Sequence, residues 1–164
     1  WLFNLNNDQI EVIIHTQSII HSFVQFIDGS IKAQMGLPDM RIPIQYALSY
    51  PNHWKNDFKR LNFKDYSKLN FEAPDIKTFR NLALAQAAME QCGNMPCILN
   101  AANEIAVHGF LKNKVGFVEM TDIIEKTMEK IPHIASPSLD DLMKSNDEAR
   151  KYAEELVKNS QLYN

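Results

Sequence analysis

The segment Met95–Leu111, MPCILNAANEIAVHGFL, is almost entirely apolar or small. A helix that is hydrophobic around its whole circumference is stable only if other elements cover every side. This stretch is therefore expected to be the central, most buried helix of whatever it folds into. The flanking sequence supplies the cover. After Asp75 apolar residues recur with a helical period, and Thr78–Gln91 carries Phe79, Leu82, Ala83, Ala87 and Met89 before Gly93 in a C-cap position. Thr121 is expected to cap a shorter helix that stops at Pro132. Ser138 is expected to start the last helix, with Asp140 and Asp141 favourably placed in its first turn. Four helices with short connections make a small bundle.

Ahead of Asp75 the period is different. Gln9–Ile14 is a short strand candidate rich in Ile and Val. Ser22–Asp28 alternates weakly, Asp28-Gly29 is a strong hairpin signal, and Ile31–Met35 is the return strand. Ile31, Ala33 and Met35 fall on one face, Lys32 and Gln34 on the other, which predicts an antiparallel pair packed on one side. A lone hairpin is marginal in water and needs more strands or a partner. Asp39 is expected to cap a helix beginning at Met40, with Pro43 inside the first turn and Ile44, Ala47 and Leu48 facing inward; that helix should stop before Pro51. From Tyr50 to Pro74 no period holds. The segment reads as an extended linker pinned by Trp54, Phe58, Leu61, Phe63, Leu69 and Phe71.

The chain has 164 residues, 45% hydrophobic and 23% charged, enough for one domain or two small ones with a real core. Its formal net charge of -3, with KDYSK and KNK too short to form a basic patch, argues against a nucleic-acid partner. No apolar run approaches the roughly 18 residues that would span a bilayer. Cys92 and Cys97, flanking Gly93 and Pro96, fit a reducing compartment better than a disulfide framework, although a turn could bridge them. The chain opens WLFNLNND, without an initiator Met and without the pattern of a signal peptide. Trp1, Leu2, Phe3 and Leu5 resemble the tail of an amphipathic helix, so the start is expected to be a cut inside a larger protein.

Polar chemistry is concentrated in three strings. HTQSIIHS, His15–Ser22, holds two histidines six residues apart. On a strand that even spacing would put both on one face, and on a helix it would separate them. They read either as hydrogen-bonded structural residues or as part of a site. NAANE places Asn100, Asn103 and Glu104 on adjacent rows of one helix face, where they are expected to cross-link neighbouring structure. PDMR sets Asp39 and Arg41 around Met40; the pair reads as a cap and a surface ion pair, while Met40 could pack on a flat ligand. There is no GxGxxG, P-loop, GxSxG or paired CxxC, and no acidic cluster of the kind that holds magnesium. The chain by itself carries no complete catalytic constellation.

EVIIHTQSIIHSFVQFIDGSIKAQMGLPDMRIPIQYALSYP, Glu11–Pro51, closely resembles one stretch of the 1-deoxy-D-xylulose 5-phosphate reductoisomerase family, and NAANEIAV, Asn100–Val107, resembles that family's later helical domain. The likeness runs in order over essentially all of the chain, as the C-terminal part of a larger enzyme. Thr16 departs from the pattern, because the family usually has Pro there; the change loosens the backbone just after His15.

The resemblance implies an enzyme that converts 1-deoxy-D-xylulose 5-phosphate to 2-C-methyl-D-erythritol 4-phosphate on the way to isoprenoids, using NADPH and Mg or Mn. It implies an α+β fold: an antiparallel sheet region, a linker and a C-terminal four-helix bundle, with the N-terminal Rossmann-type domain absent from this chain. The boundaries expected are 1–49 for the end of a catalytic, dimerising sheet domain, 50–75 for the linker and 76–164 for the bundle. By resemblance His21 sits at the active-site edge in a positioning and electrostatic role, and Pro38 and Met40 wall the nicotinamide and substrate pocket. The metal ligands are implied to lie outside this chain, so none of its residues is assigned to metal. The implied partners are the missing NADPH-binding and catalytic portion and a second copy, paired through the Ser22–Met35 region, with no membrane and no nucleic acid. Bacterial cytoplasm is the implied location, a plastid-type organelle the alternative, and the fragment alone is expected to be inactive. The competing reading is a free-standing helical interaction and dimerisation module; a small histidine-dependent hydrolase lacks a nucleophile with its base.

Overall fold

Ile98, Ala101, Ala102 and Ala106 on the predicted central helix are completely buried, and the fold of the second half of the chain is organised around them. The computed structural model describes residues 3–160. It divides into two compact units, one of them Val12–Pro74, the other formed by the first eleven residues together with everything from Asp75 onward. Trp1 and Leu2 lie outside the described residues; Phe3 and Leu5, expected to continue a helix with them, are non-helical.

In the helical unit, α2 (Arg80–Gln91), α3 (Met95–Leu111), α4 (Phe117–Lys130) and α5 (Leu139–Asn159) form the four-helix arrangement the sequence predicts. α3 packs against all three others. It runs parallel to α5. Asn94, just before α3, bonds Ser145 near the start of α5; Glu104 pairs with Arg150; and Gly109 near the end of α3 faces Val157 near the end of α5. Both helices bury small residues: Ala101, Ala102, Ala106 and Gly109 on α3, Ser145, Ala149 and Ala153 on α5. Small side chains let two backbones approach closely, so dispersion contacts accumulate along the whole seam. A Cβ added at Gly109 would lie 3.1 Å from a Val157 methyl and 3.2 Å from a Val115 methyl.

The turn between α2 and α3 is held by a buried polar latch. Asn94 is 0% exposed; its amide donates to the Pro132 carbonyl at 3.0 Å and to Ser145 Oγ at 3.0 Å, and its Oδ1 accepts the Ile134 N–H at 2.8 Å. Every hydrogen-bonding capacity that matters is used, which is the condition for a buried amide to stabilise rather than cost. Gly93 adopts φ +59, and a Cβ there would fall 2.1 Å from the Ile134 carbonyl oxygen, so only glycine fits. On the surface Arg80 of α2 bonds Asp122 at 2.6 Å and Glu125 at 3.1 Å, both on α4.

Ser138 caps α5 as expected, accepting the Asp141 N–H while the Asp141 carboxylate bonds back to Ser138. Thr121 does not cap α4. The helix begins four residues earlier at Phe117, and Thr121 is a buried interior residue. The actual start is Gly116, in extended conformation, whose N–H is taken by the Glu119 carboxylate at 2.9 Å. That reach-back bond satisfies an end donor without a capping side chain, so the usual start signal is missing from the sequence. The two cysteines are free.

In the unit Val12–Pro74, β1 (Ile20–Gln25) and β2 (Ile31–Met35) form the predicted antiparallel hairpin. Its turn is closed by Phe26 N–H to the Ser30 carbonyl and by the Asp28 carboxylate, which accepts both the N–H and the O–H of Ser30. Gln9–Ile14 is not a strand: a 3-10 turn, Asn7–Gln9, is followed by extended chain with one isolated bridge, Ile14 to Glu72. β-branched residues favour extended backbone, but here only one of them finds a partner strand. Nor is one hairpin face packed: Phe23, Val24 and Ile31 are exposed. α1 spans Arg41–Ser49, one residue later than expected, with Met40 in the cap position and Asp39 accepting the Arg41 N–H. Its inner face is also reversed. Gln45 and Ser49 bond the following coil at Trp54, Asn56 and Asn52, while Ile44, Ala47 and Leu48 point to solvent. Of the expected pins in residues 50–74, Phe58, Leu61 and Leu69 are half-buried and Trp54, Phe63 and Phe71 exposed. Only Ile19 and Ser49 are buried in this unit.

Replacing Asn94 by Ala should destabilise the chain by about 2–4 kcal/mol, since it orphans a buried N–H, a carbonyl and a hydroxyl. Thr121→Val should change stability by less than about 0.5 kcal/mol, where loss of a true cap would cost about 1. Urea unfolding followed by helical circular dichroism distinguishes the two outcomes.

Candidate functional site

β1 does not run straight through HTQSIIHS. Ser22 pairs with Gln34 and Ile20 with Met35, so two steps on β1 match one on β2 and His21 is the extra, unpaired residue of a β-bulge. A bulge bends the strand and re-aims its side chain, and it breaks the period-two rule across that point. The even spacing of His15 and His21 therefore places nothing: a turn with Ser18 at φ +51 and the bulge both intervene. The two histidines have separate environments.

His15 belongs to a clip between the start of this unit and its far end. Its Nδ1 lies 2.9 Å from the Asn70 carbonyl, its ring stacks on Phe71 at 4.9 Å, and Phe71 meets Phe23 edge-on at 5.9 Å. Gln17 Oε1 accepts the Asn70 N–H at 3.2 Å and the Thr16 hydroxyl at 3.4 Å, so Thr16 is tied into the same clip. With Nδ1–H donating to the carbonyl, Nε2 is a bare acceptor, and it is enclosed with no partner among the described residues.

His21 is exposed at the open end of the hairpin. The loop Gly36–Met40 leaves from that same end, because Ile20–Met35 is the last pair and the Gly36 N–H bonds the Ile19 carbonyl at 2.9 Å. Pro38 and Met40 are thus delivered to the end of the hairpin that carries His21. The loop is fixed from below. Asp39 accepts from the Arg41 N–H at 3.0 Å and its own N–H bonds the Leu37 carbonyl at 2.8 Å. Its two oxygens also take a bidentate bond from the Arg41 guanidinium, at 2.9 and 2.6 Å. Arg41 in turn lies over the Phe58 ring, 4.4 Å from its centroid. Arg forks match carboxylates and stack on rings in a way Lys cannot. The clamp holds Asp39 half-buried and leaves Met40 standing out, 72% exposed. An apolar, polarisable side chain set in the open on a fastened loop is suited to packing on a flat ring.

The Asp39–Arg41 pair read in the sequence as a surface ion pair is therefore also the fastening of the loop; the stacking on Phe58 carries no local sequence signal, because the partner comes from the coil. NAANE, by contrast, is a surface cross-link: Asn100 donates to Glu104 at 3.1 Å and Glu104 pairs with Arg150 of α5. Arg150 and Asn100 hold the Glu104 carboxyl below the usual range. Among the described residues no three His, Cys, Asp or Glu side chains are grouped to hold a metal ion. Among the described residues no helix is long and apolar enough to cross a membrane.

Residues 35–152 match the family described as the DXP reductoisomerase C-terminal domain. A 1-deoxy-D-xylulose 5-phosphate reductoisomerase of Phocaeicola vulgatus is 54% identical over 96% of this chain and 41% of its own length; that of Bacteroides thetaiotaomicron is 55% identical, over 40% of its length. The chain thus spans about two fifths of the curated relatives it matches. Among solved structures, the Zymomonas mobilis reductoisomerase in complex with NADPH superposes with a TM-score of 0.86 at 41% identity, over 96% of this chain and 42% of that one. A DOX-P reductoisomerase with NADPH, fosmidomycin and magnesium gives 0.87 at 35% identity, over 96% and 41%.

The Asp39 clamp has a pH signature. Hydrogen bonds from the Arg41 side chain and backbone hold the Asp39 carboxyl below the ordinary aspartate value. A carboxyl whose folded pKa is lowered adds stability that is present above its unfolded pKa and lost as pH falls through the folded value. Carbon-detected titration should find Asp39 below the ordinary range in the native chain and shifted back up in Arg41→Gln. An unmoved midpoint would mean the guanidinium does not hold the loop.

Proposed function

This chain belongs to the DXP reductoisomerase C-terminal domain family, and from that premise we propose that it is the back wall of a reductoisomerase active site. The complete enzyme would isomerise 1-deoxy-D-xylulose 5-phosphate and reduce the product with NADPH to 2-C-methyl-D-erythritol 4-phosphate. The observation that carries the reading is the joint presentation of bulged His21 and the clamped Pro38–Met40 loop at one end of a hairpin whose unit has almost no core of its own. A monomeric domain rarely leaves so many large apolar side chains in water. Here Phe23, Val24, Ile27, Ile31, Ile44, Leu48 and Trp54 are all exposed.

In this reading His21 is a positioning and electrostatic group at the edge of the substrate site. Met40 and Pro38 pack against the nicotinamide of NADPH, exclude water and orient the ring. The nicotinamide fits the chain's residues, since Met40 is apolar, exposed and held. The described residues group no three metal-ligating side chains, so in this reading the ligands of a divalent ion would come from the front portion of the enzyme. Residues 1–49 are the end of the catalytic, dimerising domain, 50–75 the linker and 76–164 the helical domain. The hairpin surface meets the front portion and a second copy of the enzyme, in the cytoplasm of a bacterium.

Joining the front three fifths of the Phocaeicola vulgatus relative to this chain gives the test. The chimera should oxidise NADPH in the presence of the sugar phosphate and Mg, while the 164-residue chain alone should not. In the chimera His21→Ala should lower kcat by about tenfold to a hundredfold. Met40→Ala should raise KM for NADPH about threefold to tenfold with a smaller effect on kcat. Turnover by the isolated chain, or an unchanged KM for NADPH in the Met40 variant, would overturn the assignment.

A further inference from the structure

We propose that the cleft between the C-terminal ends of α3 and α5 is a binding site for a small phosphorylated anion, a proposal independent of the reading above. Because the two helices are parallel, both end on the same side of the bundle, and a cleft of about 190 Å³ opens between them. Its apolar floor is Ile105, Gly109 and Val157, closed tightly because Gly109 leaves no room for a Cβ. Its polar wall comes from three separate segments: Lys112 at the end of α3, Lys114 in the loop that follows, and Lys158 in the last turn of α5, with His108 beside them.

Lysines near helix ends have a simpler use, which is to offset the negative end of the helix dipole. That use does not account for this cluster. A helix end carries about half an elementary charge, so two of them call for roughly one cation. The residues lining the cleft include three lysines and one acidic residue, Glu154. Part of the demand at α3 is already met by backbone donors, since the N–H groups of Lys112 and Lys114 both bond the Gly109 carbonyl. None of the three lysines forms an ion pair among the described residues. Like charges are thus gathered into one concavity, in a chain whose net charge is -3. Ammonium groups on flexible stems around an apolar floor suit a phosphate or diphosphate head carrying a short apolar body. The concave shape favours a small molecule over a flat anionic surface.

Isothermal titration of the full chain with inorganic pyrophosphate tests the site at constant ionic strength, with sulfate as the comparison anion. Saturable one-to-one binding is expected. Replacing Lys112, Lys114 and Lys158 together by Gln should weaken it about tenfold or more. Replacing Lys126, Lys130 and Lys151 by Gln removes the same charge elsewhere on the bundle and should leave it within about twofold. All six lysines are exposed, so both triple variants should keep the native circular dichroism spectrum. Equal weakening in the two variants, absence of saturation, or sulfate binding as tightly as pyrophosphate would overturn the proposal. So would sedimentation with phosphatidylglycerol vesicles in the absence of pyrophosphate binding, which would place an anionic lipid surface there instead.

Discussion

The helical unit depends on how closely α3 and α5 approach. α3 buries Ala101, Ala102, Ala106 and Gly109 and α5 buries Ser145, Ala149 and Ala153, and none of these residues has a side chain long enough to hold the backbones apart. Close packing makes such a seam intolerant of extra volume, because a methylene has nowhere to go without moving a helix. α2 and α4 then cover the remaining sides of α3, α4 with larger residues such as Ile123, Ile124 and Met128. The latch at Asn94 fixes where α3 begins relative to α5, and the Glu104–Arg150 pair repeats that register farther along the seam.

The unit of Val12–Pro74 is built on the opposite principle. Its order comes from hydrogen bonds and stacked rings: the Ser30–Asp28 turn, the His15–Asn70–Phe71 clip, the Asp39–Arg41–Phe58 clamp and the polar face of α1 against the coil. Individually such contacts add little net stability in water. What they do well is hold loops in one geometry. The apolar side chains they leave outside include Phe23, Val24, Ile31 and Leu48. Precision at the site and completion of the core are supplied by different sets of residues.

This division explains which features could be read from the sequence. Where a local signal suffices, as for the helix Met95–Leu111, the hairpin turn before Ile31–Met35 and the Ser138 cap, sequence and structure agree, although the strand Ile31–Met35 does not bury the face its alternation predicts. The reading fails where the deciding contact is distant in sequence or lacks a customary residue. Glu119 reaching back to Gly116 replaces a capping hydroxyl, so Thr121 attracted the assignment. The inward face of α1 was assigned by hydrophobicity, yet the coil it binds is polar and its apolar face is left outside. The strings HTQSIIHS and PDMR gave no sign of the bulge at His21 or the ring under Arg41, because register and long-range stacking leave no local pattern.

The bulge divides β1 into two pleats with independent phase. From Ser22 onward, inward and outward positions are set by pairing with Gln34 and its successors; before His21 they are set by Ile20 and the buried Ile19. The imidazole at position 21 therefore lies outside the in-and-out alternation that governs the strand beyond it.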